Sequence, residues 1–92
     1  MVANRHDEIR ADDALVESWI ESNPFKPGTA DARVREYGVP VWALIGYLQG
    51  YDGDVGRVAR AYGIPVESVQ AAAAFYARHE AVIDVRMAAN RE

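Results

Sequence analysis

The chain has 92 residues, half of them apolar, with no cysteine and a formal net charge of −4. This length supports one domain with a modest hydrophobic core, and the apolar content is that of a globular protein rather than a disordered one. The absence of cysteine excludes disulfides, thiolate zinc sites and a cysteine nucleophile. No apolar run approaches the roughly 20 residues of a membrane span, and the N-terminus has no signal-peptide core, so we expect a cytoplasmic protein.

The negative charge is concentrated in the first third of the chain. Residues 1–31 carry three Lys or Arg against seven Asp or Glu, whereas the remaining residues balance to zero. Nucleic-acid binders normally neutralise phosphates with clustered cations. The charge therefore disfavours tight, independent DNA binding.

Residues 1–12 are polar, and we expect them to form a mobile tail ahead of a single domain over 13–92. The first predicted helix covers 13–23, and an Asn-Pro pair ends it. Its apolar side chains recur with helical spacing and form one stripe, made of Leu15, Val16, Trp19 and Ile20.

One strand is predicted over 32–38, where alternating side chains place Arg33, Arg35 and Tyr37 on one face. A single strand leaves its backbone hydrogen bonds unsatisfied, and the sequence shows no convincing second strand. We therefore expect this strand to pair with its copy in a second subunit, as a two-stranded ribbon across a dimer axis.

Three further helices follow. The helix over 40–50 begins at a proline and is apolar almost all round, which indicates the buried centre of the domain. Helices over 54–62 and 65–90 are separated by Gly63, whose lack of a Cβ suits a sharp corner. No helix breaker lies within 66–90, so the last helix is predicted to run for about 24 residues, or roughly 36 Å. The predicted fold is mainly α: a helix-turn-helix with a three-helix core, an extra N-terminal helix, a short β-strand paired across a dimer and a long C-terminal helix.

The residues from about Val34 to Tyr76 carry a specific set of features. The set comprises an arginine-bearing strand before Val39-Pro40-Val41-Trp42, an apolar helix, a Val58-Ala59 pair and Ser68-Val69-Gln70 leading to Phe75-Tyr76. It resembles the bacterial family 433 of domains of unknown function, which is regarded as the antitoxin half of toxin–antitoxin pairs often encoded beside PIN-like ribonuclease toxins. The resemblance implies a small helix-turn-helix domain that inhibits a nuclease by binding to it, with no catalytic residues of its own.

DNA binding is the first function that a helix-turn-helix suggests. A recognition helix presents its first two turns to base edges, and here Gln70 can pair with adenine whereas Glu67 would repel phosphates. Arginines on the preceding helix or on a dimeric ribbon would contact phosphates, with an ordinary solvated face as the alternative. The candidate DNA-binding residues are Arg33, Arg35, Arg57, Arg60, Ser68 and Gln70.

Two apolar stripes lack cover within a compact three-helix core. One lies on the N-terminal helix, which can dock on its own domain or on a partner. The other lies beyond Glu80 on the long last helix and needs cover from a second copy, the N-terminal helix or another protein. The candidate partner-binding residues are Leu15, Trp19, Ile20, Val82, Ile83, Val85 and Met87.

Catalysis finds little support in the sequence. His6 lies in the polar N-terminus, and His79 is followed by Glu80 and Asp84 near one helical face. That group has the chemistry of a metal ligand or general base, but a solvated or interface histidine is far commoner. The glycines form no phosphate-binding loop, and no serine has a histidine and an acid at a recognisable spacing. We therefore predict no catalytic residues, no metal site and no cofactor.

These observations favour a dimeric antitoxin that covers a PIN-like ribonuclease toxin and represses its own operon by weak, dimer-dependent binding to operator DNA. An acidic chain suits a basic, RNA-handling partner. Two alternatives stay open: an interaction module that never contacts DNA, and a plain transcriptional regulator. No membrane association is expected.

Overall fold

Helices form most of the computed structural model, which describes residues 4–91 and the side chains of residues 11–90. The described elements are α1 (Asn4–Trp19), β1 (Ile20–Glu21), β2 (Arg33–Val34), α2 (Val41–Gly50), α3 (Val55–Tyr62), α4 (Val66–Arg78) and α5 (Glu80–Arg91). A 3-10 turn, Thr29–Asp31, precedes β2. The mainly α fold class is confirmed. Within residues 4–91, no helix has the length and apolarity needed to cross a membrane.

The N-terminal helix differs from its predicted span of 13–23. It begins at Asn4, so residues 4–12 are helical rather than a mobile tail, and positions 1–3 lie outside the described residues. Arg, Glu and Ala in this stretch are good helix formers, which is enough to extend the helix without an apolar stripe. The helix ends before Ile20 because that residue pairs with Val34 in a strand.

The strand prediction was right in place but wrong in length and in partner. β2 pairs antiparallel with β1 of the same chain, with Ile20 opposite Val34. Its other edge bonds to the segment that follows, where the Val34 amide donates to the Val39 carbonyl at 2.8 Å and the Val41 amide donates to the Ala32 carbonyl at 2.9 Å. Both edges are therefore occupied within one chain, which leaves no place for the same strand of a second subunit.

The corner between α3 and α4 follows the prediction. Asp54 caps α3, and its carboxylate accepts a hydrogen bond from the Arg57 amide at 3.0 Å. Gly63 has a φ of 67°, in the left-handed region, and the Ile64 amide returns to the Ala59 carbonyl at 3.0 Å. This arrangement is a Schellman ending, which satisfies the last carbonyls of a helix while it turns the chain.

The core is built around α4 rather than around α2, the helix predicted to be central. α4 contacts α1, α2, α3, α5 and β1, whereas α2 leaves Tyr47 half exposed. Ala71 and Ala72 of α4 are fully buried, and their small size lets the neighbouring helices approach closely. The buried apolar set includes Val34, Val41, Leu44, Ile45, Val58, Val69 and Ile83.

The predicted long helix over 65–90 is interrupted at His79. α4 ends one residue before it and α5 starts one residue after it, while His79 itself has a φ of −138°. The interruption brings α5 back against α2, where Ile83 is fully buried and Met87 is 7% exposed. Burying two large apolar side chains stabilises the bend by more than the few helical hydrogen bonds given up. The expectation of one continuous helix was wrong.

Candidate binding surfaces

The predicted partner-binding residues of the N-terminal helix lie mostly against the core. Ile20 is only 6% exposed and belongs to β1, so its assignment to a partner surface was wrong. Leu15 and Trp19 are half-buried and pack against the core. α1 therefore docks on its own domain, and an ion pair between Asp13 and Arg78 joins it to the end of α4.

The predicted partner-binding residues of the C-terminal helix divide between two faces of α5. Ile83 and Met87 turn inward and are buried, so assigning them to a partner was wrong. Val82 and Val85 turn outward, with 43% and 70% of their surface exposed. We call this outer face the α5 strip, and it comprises Ala81, Val82, Val85 and Ala89.

The α5 strip borders a shallow cavity of about 430 Å³, which Ala30 of the 3-10 turn and Arg86 also line. Arg86 is fixed in place, because its Nε donates to Asp31 at 3.0 Å and its guanidinium carbon lies 4.6 Å from the Trp42 ring centroid. Aliphatic side chains with an ordered arginine at their margin have the composition of a protein-binding surface.

Ser68 is not available to DNA, so that assignment was wrong. Its side chain is fully buried, and its hydroxyl donates to the Pro65 carbonyl at 2.6 Å within the first turn of α4. Gln70 is exposed on the same helix, one turn after the exposed Glu67. Because other elements pack on most sides of α4, this narrow polar face is the part of its first two turns that stays exposed.

Arg33 and Arg35 are held by acidic neighbours. Glu21 on β1 accepts a hydrogen bond from Arg33 Nε at 2.8 Å, and its second oxygen lies 3.5 Å from Arg35 Nη1. Arg35 Nε also donates to the Glu17 carbonyl at 3.2 Å. The predicted patch of four cations on a dimeric ribbon does not form, since β2 has no free edge and both of its arginines contact Glu21 of the same chain.

Arg57 and Arg60 lie on the exposed face of α3. The guanidinium carbon of Arg57 lies 4.3 Å from the Tyr51 ring centroid, a cation–π contact that leaves its positive charge at the surface. Among the described side chains, neither arginine forms an ion pair. Arg57, Arg60 and Gln70 are thus the predicted DNA contacts that are exposed and form no ion pair among the described side chains, whereas Arg35 is exposed but contacts Glu21.

The sequence prediction missed an aromatic groove between α2, the end of α3 and the end of α5. The groove is open to solvent and has a volume of about 600 Å³, and Tyr47 lies in it with its ring centroid 5.8 Å from that of Tyr51 and 5.1 Å from that of Tyr62. The large side chains of the aromatic groove are Trp42, Tyr47, Tyr51, Tyr62 and Met87. One signal was present in the sequence, because Tyr47 and Tyr51 are four residues apart, and Tyr51 directly follows α2 as its C-terminal cap, which places the two rings near each other.

Burial affects the chemistry of Tyr62 in the aromatic groove. Partial burial raises the pKa of its hydroxyl above the ordinary 10.0, and the neighbouring Tyr47 raises it further. The Tyr62 hydroxyl therefore keeps its proton at neutral and mildly alkaline pH, and it can donate a hydrogen bond to a bound group.

The titratable groups near His79 contact different partners and do not form one cluster. The His79 ring packs against Phe75, with centroids 4.5 Å apart, whereas Asp84 accepts a hydrogen bond from the Tyr76 hydroxyl at 2.7 Å. Within the part of the chain that the structure describes, no group of three or more His, Asp or Glu side chains is placed to hold a metal ion. The side chain of His6 lies outside that part.

Comparison with known proteins finds no matching family model, no similar curated protein and no similar solved structure. The resemblance to family 433 therefore stays a prediction. What the chain can bind is inferred from its own surfaces: the α5 strip, the aromatic groove and the two exposed arginines of α3.

Proposed function

We propose that this protein is the antitoxin of a toxin–antitoxin pair and that it neutralises a PIN-like ribonuclease in the cytoplasm by binding to it. The observation that carries the proposal is the α5 strip, where Val82 and Val85 are 43% and 70% exposed and line a shallow depression. Aliphatic side chains aligned on one exposed helix face are typical of a surface that a protein partner covers.

Charge supports a basic partner. Asp12, Asp13 and Glu17 are exposed on α1, and the whole chain carries a net charge of −4. A ribonuclease presents cations where it binds RNA, so an acidic protein is steered toward that surface and competes with RNA for it. Inhibition then needs no catalytic group on the antitoxin.

Autorepression through DNA is the weaker part of the proposal. Of the six predicted DNA contacts, Arg33, Arg35 and Ser68 make side-chain contacts within the fold, whereas Arg57, Arg60 and Gln70 are exposed without an ion pair among the described side chains. Glu67 lies one turn from Gln70 and repels phosphates. So few contacts per subunit support only weak binding that depends on dimerisation.

The proposal is tested by co-expression with the PIN-like ribonuclease that the proposal expects a neighbouring gene to encode. We expect the two chains to co-purify and the nuclease to lose its activity on RNA. Val85→Glu places a charge in the middle of the α5 strip and should weaken the complex by about tenfold or more, since a buried carboxylate would lack a partner. Ala61→Glu adds the same charge at an exposed position on α3 and is the matched control.

Three outcomes distinguish an antitoxin from an interaction module and test whether the α5 strip forms the interface. A nuclease that stays fully active in the presence of the chain overturns the antitoxin proposal. Binding without inhibition favours the alternative of an interaction module. A complex that Val85→Glu and Ala61→Glu affect equally removes the α5 strip from the interface.

A further inference from the structure

The aromatic groove has a floor without side chains. Gly46 and Gly50 lie one helical turn apart on α2, and both line the groove. A Cβ added at Gly46 would meet only the Met87 sulfur, at 4.0 Å, and one added at Gly50 would meet nothing within 4 Å. Packing within the chain therefore requires neither glycine, although glycine in a helix is unfavourable. Their effect is to leave room for a large side chain close to the α2 backbone.

A projecting ring stands beside this floor. Tyr47 directly follows Gly46 on α2 and is 48% exposed. Ring contacts with Tyr51 and Tyr62 limit its rotation. The same patch of surface therefore carries a projection and a hollow side by side. A contact between identical copies related by a two-fold axis requires this combination, because each copy must supply both.

The exposed face of α2 also suits a helix crossing. Ala43 precedes Gly46 by three residues and lines the groove as well, so the face is made of small residues apart from its aromatic side chains. An antiparallel α2 of a second copy can cross here with Ala43 opposite Gly50 and with Gly46 opposite Tyr47. Small residues at a crossing let two helix backbones approach closely. The Tyr, Trp and Met side chains around the floor are of the types enriched in protein interfaces.

Charge favours a second copy over a basic partner at the aromatic groove. The turn and helix that follow Tyr51 carry two carboxylates and two guanidiniums, which sum to zero: Asp52, Asp54, Arg57 and Arg60. At the other end of the groove, Arg86 stacks on Trp42 and is paired with Asp31. The exposed acidic residues of α1 lie elsewhere, on a helix that packs chiefly on α4. Two copies can therefore meet at this neutral patch without repulsion, although each carries a net charge of −4.

We infer that the aromatic groove is the interface of a symmetric dimer, in which the Tyr47 ring of each copy packs on the Gly46 and Gly50 floor of the other. This interface takes the place of the strand ribbon predicted from the sequence, which the occupied edges of β2 exclude. The inference goes beyond the proposed antitoxin function and does not rest on it, since the α5 strip and the aromatic groove share no residue.

The dimer is tested by sedimentation velocity on the full chain from about 1 μM to about 1 mM, a range that covers tight and weak association. The mass should reach twice the 10.2 kDa of one chain within that range. Gly46→Gln fills the floor and Tyr47→Ala removes the projecting ring, so each should raise the dissociation constant about tenfold or more. The matched controls are Ala61→Gln, at an exposed position of α3, and Tyr37→Ala, at a ring that is 46% exposed outside the groove.

Urea unfolding of the variants separates a lost interface from a lost fold. At a concentration where the natural chain is monomeric, Gly46→Gln should be at least as stable as the natural chain, because glutamine is the better helix former and its Cβ has room. Tyr47→Ala carries the test even if Gly46→Gln fails to fold, because the Tyr47 ring is half exposed.

Each outcome decides for or against the interface. A dimer that both groove variants weaken and both controls retain supports it. A chain that stays monomeric up to about 1 mM overturns it, and so does a mass that grows beyond two chains. A dimer that a folded groove variant leaves unchanged, or that variants and controls weaken alike, overturns it too. None of these results bears on toxin binding by the α5 strip.

Discussion

The hydroxyl of Tyr76 on α4 donates a hydrogen bond of 2.7 Å to the carboxylate of Asp84 on α5. The pair spans the interruption at His79, so it helps to fix the direction in which α5 leaves α4. The bond to Asp84 raises the pKa of Tyr76 above 10.0, because loss of the hydroxyl proton would place two negative charges side by side, and partial burial adds to the rise.

The raised pKa of Tyr76 predicts a loss of stability at alkaline pH. A pKa that is higher in the folded protein contributes stability that is complete below the unfolded pKa of 10.0 and disappears as the pH rises through the folded pKa. Tyr76→Phe should therefore lower the free energy of unfolding at neutral pH and make its alkaline decline shallower. Urea unfolding across the alkaline range measures both effects, with Tyr37→Phe as the control. Matching profiles for Tyr76→Phe and the natural chain would contradict the hydrogen bond.

The packing of α5 on the core predicts a large cost for Ile83→Ala. Ile83 is fully buried, so the variant should lose about 2–5 kcal/mol of unfolding free energy, through lost burial and the cavity left behind. Val85→Ala, on the exposed face of the same helix, should change it by no more than about 0.5 kcal/mol. Urea denaturation compares the two. Equal effects would mean that α5 does not fold back in solution.

The left-handed conformation of Gly63 predicts that alanine is not tolerated there. Gly63→Ala forces a Cβ into that region and should cost about 1–2 kcal/mol. Gly56→Ala is the contrasting variant within α3, where the new Cβ would make ordinary contacts at 3.5 Å, and it should be neutral or stabilise by up to about 1 kcal/mol. Thermal unfolding gives both values. A destabilisation by Gly56→Ala as large as that by Gly63→Ala would argue against the Schellman ending.

The ion pairs of Glu21 predict a salt-dependent contribution to stability. Glu21 and Arg33 are each 27% exposed, so screening by water is incomplete, and Glu21→Gln should cost about 1 kcal/mol. The loss should shrink as salt is added. Glu17→Gln keeps the backbone carbonyl that Arg35 uses and is the control. Denaturation at low and high ionic strength tests this, and a loss that does not change with salt would indicate a packing effect instead.

Operator binding, if the helix-turn-helix contacts DNA, should be weak and steeply dependent on salt. An electrophoretic shift assay on the upstream DNA at two salt concentrations gives the slope, with log affinity falling by about 0.9 per phosphate contacted. Arg57→Gln and Arg60→Gln should each reduce that slope by about 1, whereas Arg35→Gln should not, since Glu21 already holds Arg35. Absence of a shift at low salt would reject autorepression and leave toxin binding untouched.

Where neighbouring residues decide the structure, the sequence predicted it well. The Asp54 cap and the Gly63 corner depend on partners no more than five residues away, Arg57 and Ala59 among them. Such interactions can be predicted from the sequence because a capping oxygen bonds an amide a few residues away and a glycine, which has no Cβ, can adopt the left-handed conformation that ends a helix. The same logic located β2, whose alternating side chains were visible.

The features that the sequence did not predict depend on contacts between residues that are far apart in the chain. Ile20 continues the helical stripe of α1 in sequence, and only its pairing with Val34 shows that the helix has already ended. His79 is not a breaker residue, and the chain bends there because Ile83 finds cover on α2. Before that bend is known, Ile83 and Val82 are equally apolar, so their division between core and surface was not predictable.

The candidate sites followed the same division. The spacing of Tyr47 and Tyr51 brings their rings together at the end of α2, but the aromatic groove also needs Tyr62 of α3 and Met87 of α5. Arg33 and Arg35 of β2 were predicted to be free cations, but the pairing of β1 with β2 places Glu21 beside both of them. The composition of a surface that forms where several elements meet could therefore not be predicted from sequence patterns and residue spacing.

The closed hydrogen bonding of β2 restricts how copies of this protein can associate. With the amides of Val34 and Val41 committed internally, β2 offers no template for strand exchange or for fibril-like stacking. The assembly of an oligomer should therefore leave the hydrogen-exchange protection of these two amides as it is in the isolated chain.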